Sequence, residues 1–207
     1  MDRKSHWDGV YAQKAEDAVS WFQGSPGLSL SLIAYAGLAE ADPIIDVGGG
    51  TSRLVDRLLA AGHQDVTVLD IAAAALQKSR ERLGPKAERV RWLAADITRW
   101  RPTRRHALWH DRAVFHFLTQ PVDRLAYRRA LAAGLAPGGT LIIASFALDG
   151  PERCSSLPVQ RYSPESLAAE LGPGFRLLDS RAEDHLTPAG KSQRFQYSVF
   201  RSVTDPR

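Results

Sequence analysis

The chain has little cysteine and no long apolar run. A single cysteine, Cys154, excludes a disulfide within the chain and fits a reducing compartment, so we expect a cytoplasmic protein. No stretch approaches the roughly 20 apolar residues that a transmembrane helix requires. Residues 1–7 also lack the apolar core of a signal peptide. We therefore expect no membrane partner.

Acidic residues are fewer than basic ones, which leaves a net charge of +4. The densest basic segment contains Arg99, Arg101, Arg104 and Arg105. A basic patch of this kind can bind nucleic acid. Because no stripe of alternating basic and aromatic residues accompanies the segment, we interpret it as a solvated loop, and nucleic acid is not the expected partner.

Apolar strand patterns alternate with helical patterns from residue 44 onwards. The sequence predicts strands at Ile44–Val47, Val66–Ile71, Val90–Ile97, Ala107–Asp111, Thr140–Phe146, Phe175–Asp184 and Arg194–Arg201. Alternation on this scale predicts an α/β fold, in which helices cover both faces of a largely parallel sheet.

Three consecutive glycines, Gly48, Gly49 and Gly50, follow the first strand. Between a strand and a helix, glycines let the backbone turn tightly and approach a ligand, and the helix N-terminus offers unpaired N–H groups. A dinucleotide-binding turn needs a further glycine where this chain has Arg53. The turn therefore indicates a nucleotide-like cofactor and weakens the case for a nicotinamide or flavin dinucleotide.

Aspartates end four successive predicted strands, or lie next to their ends: Asp46, Asp70, Asp96 and Asp111. Because ligands of such sheets bind at the carboxyl ends of the strands, we expect these acids to line one edge. An acidic edge suits a cofactor that carries a ribose, an amino group and a net positive charge.

These motifs resemble those of class I S-adenosylmethionine (SAM)-dependent methyltransferases, over about residues 7–201. Asp46–Ser52 resembles the family's first motif, Val68–Ile71 the second and Ala95–Ile97 the third. The resemblance implies a Rossmann-like three-layer αβα sandwich, whose seven-stranded, mostly parallel sheet has an antiparallel last strand. It also implies an enzyme that uses SAM as methyl donor and releases S-adenosylhomocysteine.

The resemblance further implies that Asp70 binds the ribose hydroxyls and Asp96 the adenine amino group. The predicted cofactor-binding residues are Trp7, Asp46, Gly48, Gly49, Gly50, Ser52, Asp70, Ile71, Asp96, Ile97 and Asp111.

Methyl transfer is an in-line displacement, in which the protein mainly orients the reactants and excludes water. We predict Asp111 beside the methyl group and His116 as base or substrate anchor. Tyr11 and Trp7 are predicted to fold over the cofactor, with their aromatic faces toward the sulfonium. Ordinary packing is an equally good interpretation for His116 and for the N-terminal aromatics. The predicted substrate-binding residues are Arg112, Phe115, Arg161 and Tyr162, and no metal site is predicted.

Two narrower resemblances suggest different methyl acceptors. Trp7-Asp8-x-x-Tyr11 and Trp21-Phe22 resemble the protein-lysine methyltransferases that act on translation elongation factors. Asp111-Arg112 followed by Phe115-His116 resembles small-molecule thiol and thiopurine methyltransferases.

A small-molecule acceptor is the leading prediction. A lysine-bearing protein acceptor and a non-catalytic nucleotide or nucleic-acid binding module are the alternatives. The length predicts one methyltransferase domain over residues 1–207, as a monomer or homodimer. We divide it into an N-terminal helical cap (1–40), a SAM-binding core (41–147) and a substrate-side loop with the C-terminal strands (148–203).

Overall fold

The computed structural model describes residues 3–203, which begin with two helices outside the sheet. Helix α1 spans Arg3–Gln13 and helix α2 spans Gly27–Tyr35. Pro26 is the N-cap residue of α2, where its missing N–H costs no helical hydrogen bond. None of the helices in this part of the chain is both long and apolar enough to cross a membrane.

The predicted alternation of strands and helices follows. Its first half contains β1 (Ile44–Val47), α3 (Leu54–Ala60), β2 (Val66–Asp70), α4 (Ala73–Leu83), a 3-10 helix (Gly84–Arg89) and β3 (Val90–Ala94). Its second half contains β4 (His106–Arg112), a 3-10 helix (Phe115–Phe117), α5 (Pro121–Gly134) and β5 (Leu135–Phe146). The chain ends with β6 (Arg153–Cys154), β7 (Leu157–Pro158), α6 (Pro164–Leu171), β8 (Phe175–Leu186) and β9 (Ser192–Ser202).

Seven strands form one sheet in the order β3-β2-β1-β4-β5-β9-β8. The pairs among β1 to β5 are parallel, whereas β9 runs antiparallel to both of its neighbours. The predicted fold, including the antiparallel last strand, is confirmed. The strand order reverses between β1 and β4, and a crevice opens outside the carboxyl ends of strands at such a point.

The sheet is covered on both faces, which explains why β1 and β2 are buried throughout. Ile44 packs with Leu32 of α2 and Leu58 of α3 on one face. Its neighbour Ile45 packs with Leu131 of α5 on the other face, because successive side chains of a strand point in opposite directions.

The structure differs from the predicted boundaries in two places that bear on the site. Strand β3 ends at Ala94, so Asp96 lies in the following loop, where it accepts hydrogen bonds from the backbone N–H and hydroxyl of Thr98 at 2.9 and 2.8 Å. The segment after β5, expected to be a substrate-side loop, contains the β6–β7 hairpin. Its turn places Ser155 and Ser156 at positive φ, and no glycine in the sequence marked this turn.

Candidate active site

The glycine turn lies at the carboxyl end of β1 and packs tightly against its neighbours. Gly48 has a φ of 71°, and a Cβ atom there would lie 2.0 Å from Cγ2 of Val114. A Cβ atom on Gly50 would lie 2.8 Å from the Tyr11 hydroxyl and 3.0 Å from Asp70 Oδ2. Only glycine permits this path of the backbone.

Two adjoining cavities flank the turn. The main cavity lies between the sheet edge and α1, and it is lined by Arg3, Trp7, Tyr11, Trp21, Val47, Gly48, Leu69, Asp70, Ile71, Ala95, Asp96, Ile97, Arg112, Ala113, Val114, Phe117, Leu118 and Cys154. The second cavity shares four of these residues (Tyr11, Trp21, Gly48 and Arg112) and is also lined by Val19, Phe22, Gln23, Pro26, Ser29, Asp46, Gly49, Thr51, Ser52, Leu54 and His110.

The main cavity has two acids on its sheet side. Asp70 ends β2, and its Oδ1 accepts a hydrogen bond from the Ala72 N–H at 2.8 Å. Burial, and to a lesser degree the nearby charge of Asp46, raises the pKa of Asp70 to about 7. Asp96 Oδ2 lies 3.9 Å from Arg3, which also forms a hydrogen bond with Asp123. Asp70 therefore presents a buried, titratable carboxyl group to the main cavity.

The groups present fit the cofactor that the sequence motifs imply. Asp70 and Asp96 supply acceptors for hydroxyl and amino groups. The side chains of Ile71, Ile97 and Leu118 supply an apolar surface between them. Gly48 and Gly49 of the turn line the cavities, so a ligand can contact the backbone there. Within residues 3–203 no group of three or more His, Cys, Asp and Glu side chains is placed to hold a metal ion.

Aromatic residues of α1 cover the opposite side of the main cavity. The Trp7 ring makes edge contacts with Trp21 and Phe117, at centroid distances of 5.6 and 5.1 Å. Lys78 donates a hydrogen bond to the carbonyl of Tyr11 and thereby fixes the helix to α4. Burial raises the pKa of the Tyr11 hydroxyl well above its usual range, so this hydroxyl stays protonated. Trp7 and Tyr11 thus both line the main cavity, and their contact with the cofactor stays a prediction.

Asp111 does not reach the position that the sequence predicted for it. Its side chain is 0% exposed and lies outside the lining of both cavities. Oδ1 accepts hydrogen bonds from the backbone of Val114 and Phe115, and Oδ2 accepts one from the Tyr127 hydroxyl at 2.7 Å. Successive side chains of a strand point to opposite faces, so Arg112 reaches the cavity and Asp111 supports the turn behind it.

Replacing Tyr127 with phenylalanine tests this supporting role. The Tyr127 hydroxyl donates to Asp111 and accepts from Trp109 Nε1 at 2.9 Å. Its loss leaves two buried polar groups without partners, so we expect the free energy of unfolding to fall by about 2 kcal/mol. Urea denaturation measures this loss. A parallel titration with S-adenosylhomocysteine should give an affinity close to that of the wild type, and a large loss of affinity would contradict a purely supporting role.

His116 and Phe115 are fully buried and also lie outside both cavity linings. His116 Nδ1 accepts a hydrogen bond from the Phe146 N–H at 3.3 Å. Burial, and the charge of Arg112, lower the pKa of His116 to about 3, so the ring is neutral. Phe115 packs against Tyr127 and Tyr162. This geometry favours the packing interpretation of His116 over a base.

The two remaining predicted substrate residues of the loop after β5 also point elsewhere. Arg161 donates to the carbonyl of Gly150 at 3.1 Å and to Glu152 at 3.0 Å, which closes the loop on itself. Tyr162 is buried against Phe115 in the core. The distance of these residues from β5 in the sequence does not predict where their side chains point. The intervening hairpin sets that orientation.

Arg112 is the predicted substrate-binding residue that does line the cavities. Nε donates to the Tyr197 hydroxyl at 2.9 Å and Nη1 to the Trp21 carbonyl at 3.1 Å. The guanidinium lies 4.3 Å from the centroid of the Phe195 ring. Nη2 approaches Glu183 only to 3.8 Å and has no hydrogen-bond partner within residues 3–203. Arg112 therefore presents a buried cation with a free donor.

Some cavity residues were not predicted from the sequence. Phe117 was not predicted, because only the orientation of the 3-10 turn decides whether Phe115 or Phe117 faces the cavity. Cys154 arrives there through the β6–β7 hairpin, and burial raises the pKa of its thiol to about 11. Nothing in the sequence around Arg3 predicts that it lines the cavity, because it contacts Asp96, which lies far along the chain.

Known proteins resemble this chain over the regions that form the fold and the cavities. Residues 44–139 match the family model described as a methyltransferase domain. Thiocyanate methyltransferase 1 of Arabidopsis thaliana is 26% identical over 181 residues, which are 86% of this chain and 78% of that protein. The eEF1A lysine and N-terminal methyltransferase of Xenopus laevis is 25% identical over 93 residues, which are 45% of this chain and 13% of that protein.

Solved structures share the fold over nearly the whole chain. A structure from work on the conversion of a disulfide bond into a thioacetal group during echinomycin biosynthesis has a TM-score of 0.77 at 19% identity, covering 98% of this chain and 94% of that one. The 1,6-didemethyltoxoflavin-N1-methyltransferase of Burkholderia thailandensis, solved with 1,6-didemethyltoxoflavin and S-adenosylhomocysteine, has a TM-score of 0.71 at 23% identity, covering 97% and 84%.

The sheet order, the acidic edge and the glycine turn define an α/β enzyme that binds a nucleoside cofactor. Together with the match of residues 44–139 to a methyltransferase domain, they support a class I SAM-dependent methyltransferase. The predicted class, enzyme activity and cofactor are confirmed.

Proposed function

We propose that this enzyme methylates a small-molecule nucleophile that binds in the main cavity beside Arg112. The observation that carries the proposal is the shape and charge of the acceptor side of this cavity. Trp7, Trp21 and Phe117 close it, and Arg112 supplies its cation. A concave, largely apolar pocket of this kind suits a small acceptor better than the side chain of a folded protein.

The residues on the sheet side would hold the cofactor. We assign the ribose hydroxyls to Asp70 and the adenine amino group to Asp96. The glycine turn and the second cavity would take the methionine end. SAM supplies an electrophilic methyl group on a positively charged sulfur, and the protein has to orient an attacking atom in line with it.

Among the described residues that line the acceptor side, none takes a proton at neutral pH. Apart from the two acids assigned to the cofactor, the titratable groups among the described lining residues are Arg3, Tyr11, Arg112 and Cys154. The pKa of Tyr11 is raised, and that of Cys154 is raised to about 11. We infer an acceptor that attacks without losing a proton, such as a thiolate or another anion, whose charge Arg112 compensates.

The named activity of a relative agrees with this inference. The Arabidopsis protein is named for thiocyanate, which is an anion. A lysine side chain is less favoured, because Arg112 would repel its ammonium form and no described acceptor-side residue would deprotonate it. A non-catalytic nucleic-acid module is likewise not favoured for a chain of this family.

Two measurements test the proposal. Calorimetric titration of the purified protein should show binding of SAM and of S-adenosylhomocysteine. Chromatography should then show conversion of SAM to S-adenosylhomocysteine in the presence of hydrosulfide or thiocyanate, and none with a lysine-bearing peptide. Turnover with the peptide alone would support the protein-lysine alternative, and absence of cofactor binding would contradict the whole assignment.

A further inference from the structure

A buried chain of three polar side chains lies beneath the second cavity. His110 Nδ1 lies 2.7 Å from Asp46 Oδ1, and His110 Nε2 lies 2.9 Å from the Ser29 hydroxyl. The exposed fractions are 1% for Ser29, 2% for His110 and 3% for Asp46. The three residues come from α2, β4 and β1, and Asp46 and His110 are direct partners in the β1–β4 register. Three separate elements therefore converge on one hydrogen-bonded chain.

One end of this chain meets the glycine turn. A Cβ atom on Gly49 would lie 2.6 Å from Asp46 Oδ2, so the free carboxylate oxygen sits directly against the turn. The other end, Ser29, lines the second cavity together with Arg112. The chain thus runs from the cofactor side of the site to the proposed acceptor side.

The proton positions follow from the groups involved. An ionised Asp46 can only accept, so Nδ1 of His110 carries a hydrogen. In the neutral ring Nε2 then accepts from the Ser29 hydroxyl, and this bond selects the tautomer that Asp46 requires. A ring held at both nitrogens cannot rotate, so the carboxylate of Asp46 is also held in one orientation.

We propose that His110 and Ser29 are positioning residues for cofactor binding. They hold the Asp46 carboxylate against the glycine turn, where it accepts the ammonium group of the methionine end of the cofactor. This inference rests on the proposed binding of the methionine end in the second cavity. The order of Ser29, His110 and Asp46 is also that of a hydrolase triad. However, the burial of Ser29 favours positioning over a nucleophilic role.

Two substitutions of His110 test its two hydrogen bonds, to Asp46 and to Ser29, separately. His110→Asn places an amide N–H near the position of Nδ1, so it keeps a donor for Asp46 and loses the contact with Ser29. His110→Gln extends its amide toward the position of Nε2, so it keeps a partner for Ser29 and loses the donor for Asp46. We expect S-adenosylhomocysteine to bind about tenfold more weakly to His110→Gln, and within about threefold of wild type to His110→Asn.

His106→Asn is the matched control, because His106 is another buried histidine of β4 and is hydrogen-bonded to the Gly134 carbonyl at the other end of the strand. Calorimetry gives the affinity for S-adenosylhomocysteine, and thermal unfolding gives the stability of each variant. Equal affinities for both His110 variants and the control would overturn the inference, whatever their stabilities. Failure of the wild-type protein to bind S-adenosylhomocysteine would instead contradict the proposed function.

Discussion

Asp70→Asn is expected to bind S-adenosylhomocysteine about 10- to 100-fold more weakly than the wild type, because hydrogen bonds to a charged acceptor are lost. The substitution preserves size and shape, and the amide oxygen still accepts from the Ala72 N–H. Only the charge and the second acceptor disappear. A loss of affinity without a loss of structure would locate the ribose hydroxyls at this carboxyl.

The same variant is expected to unfold at a higher temperature than the wild type at pH 8. Burial raises the pKa of Asp70 from 3.8 to about 7 in the folded protein. The folded state thus binds a proton that the unfolded state has lost, and stability falls as the pH rises from about 4 through about 7. An asparagine carries no charge to bury, so its advantage is present at pH 8 and vanishes near pH 4.

The affinity of the wild type should also depend on pH with a definite sign. Ribose hydroxyls donate to the ionised form of Asp70, so binding of S-adenosylhomocysteine should strengthen from pH 6 to pH 8. In Asp70→Asn this dependence should be absent. Asp65→Asn is the control, since Asp65 immediately precedes the same strand at its opposite end and pairs with Arg104. Unchanged affinity in Asp70→Asn would refute the assignment of this carboxyl to the cofactor.

Arg112→Met is expected to lower kcat/KM for an anionic acceptor by about 100-fold, because a charge-assisted hydrogen bond is lost in a desolvated site. The affinity for S-adenosylhomocysteine should stay within about threefold of the wild type. Methionine keeps an unbranched apolar stem over Phe195 and removes only the cation. The acceptor used would be the anion that the wild type turns over fastest.

Two further variants distinguish the causes of such a loss. Arg112→Lys keeps the charge but not the planar fork that contacts Tyr197 and Trp21, so an intermediate kcat/KM is expected. Arg104→Met removes a cation that precedes β4 at the other end of the same strand, and it should leave kcat/KM unchanged. If Arg112→Met loses cofactor affinity and keeps its acceptor kinetics, Arg112 binds the cofactor instead.

The residues on the cofactor side of the site could largely be predicted from the sequence. Strand ends are set by local apolar patterns, and parallel strands bring their carboxyl ends to one edge. The glycine turn and Asp70 therefore lie where the motifs placed them, and Asp96 faces the same cavity from a loop. Their assigned contacts with the cofactor stay predictions.

The residues on the proposed acceptor side could not be predicted in the same way. The spacing of residues in the sequence does not reveal which way their side chains point. Asp111 and Arg112 are neighbours in the sequence, yet one supports a buried turn and the other lines both cavities. The sequence supported two interpretations of His116 equally, a base or a core residue. In the structure it packs in the core beside Phe146. A shift by one residue along a strand moves a side chain to the opposite face.

By itself, the sequence determined the α/β fold, the class of enzyme and the cofactor, because these depend on periodicity and on motifs within short segments. The tertiary structure alone decided which side chains meet: Arg112 with Tyr197, Trp7 with Phe117, and Ser29 with His110 and Asp46. Contacts between residues so far apart in the chain follow from how whole elements pack. The proposed acceptor pocket beside Arg112 depends on such contacts.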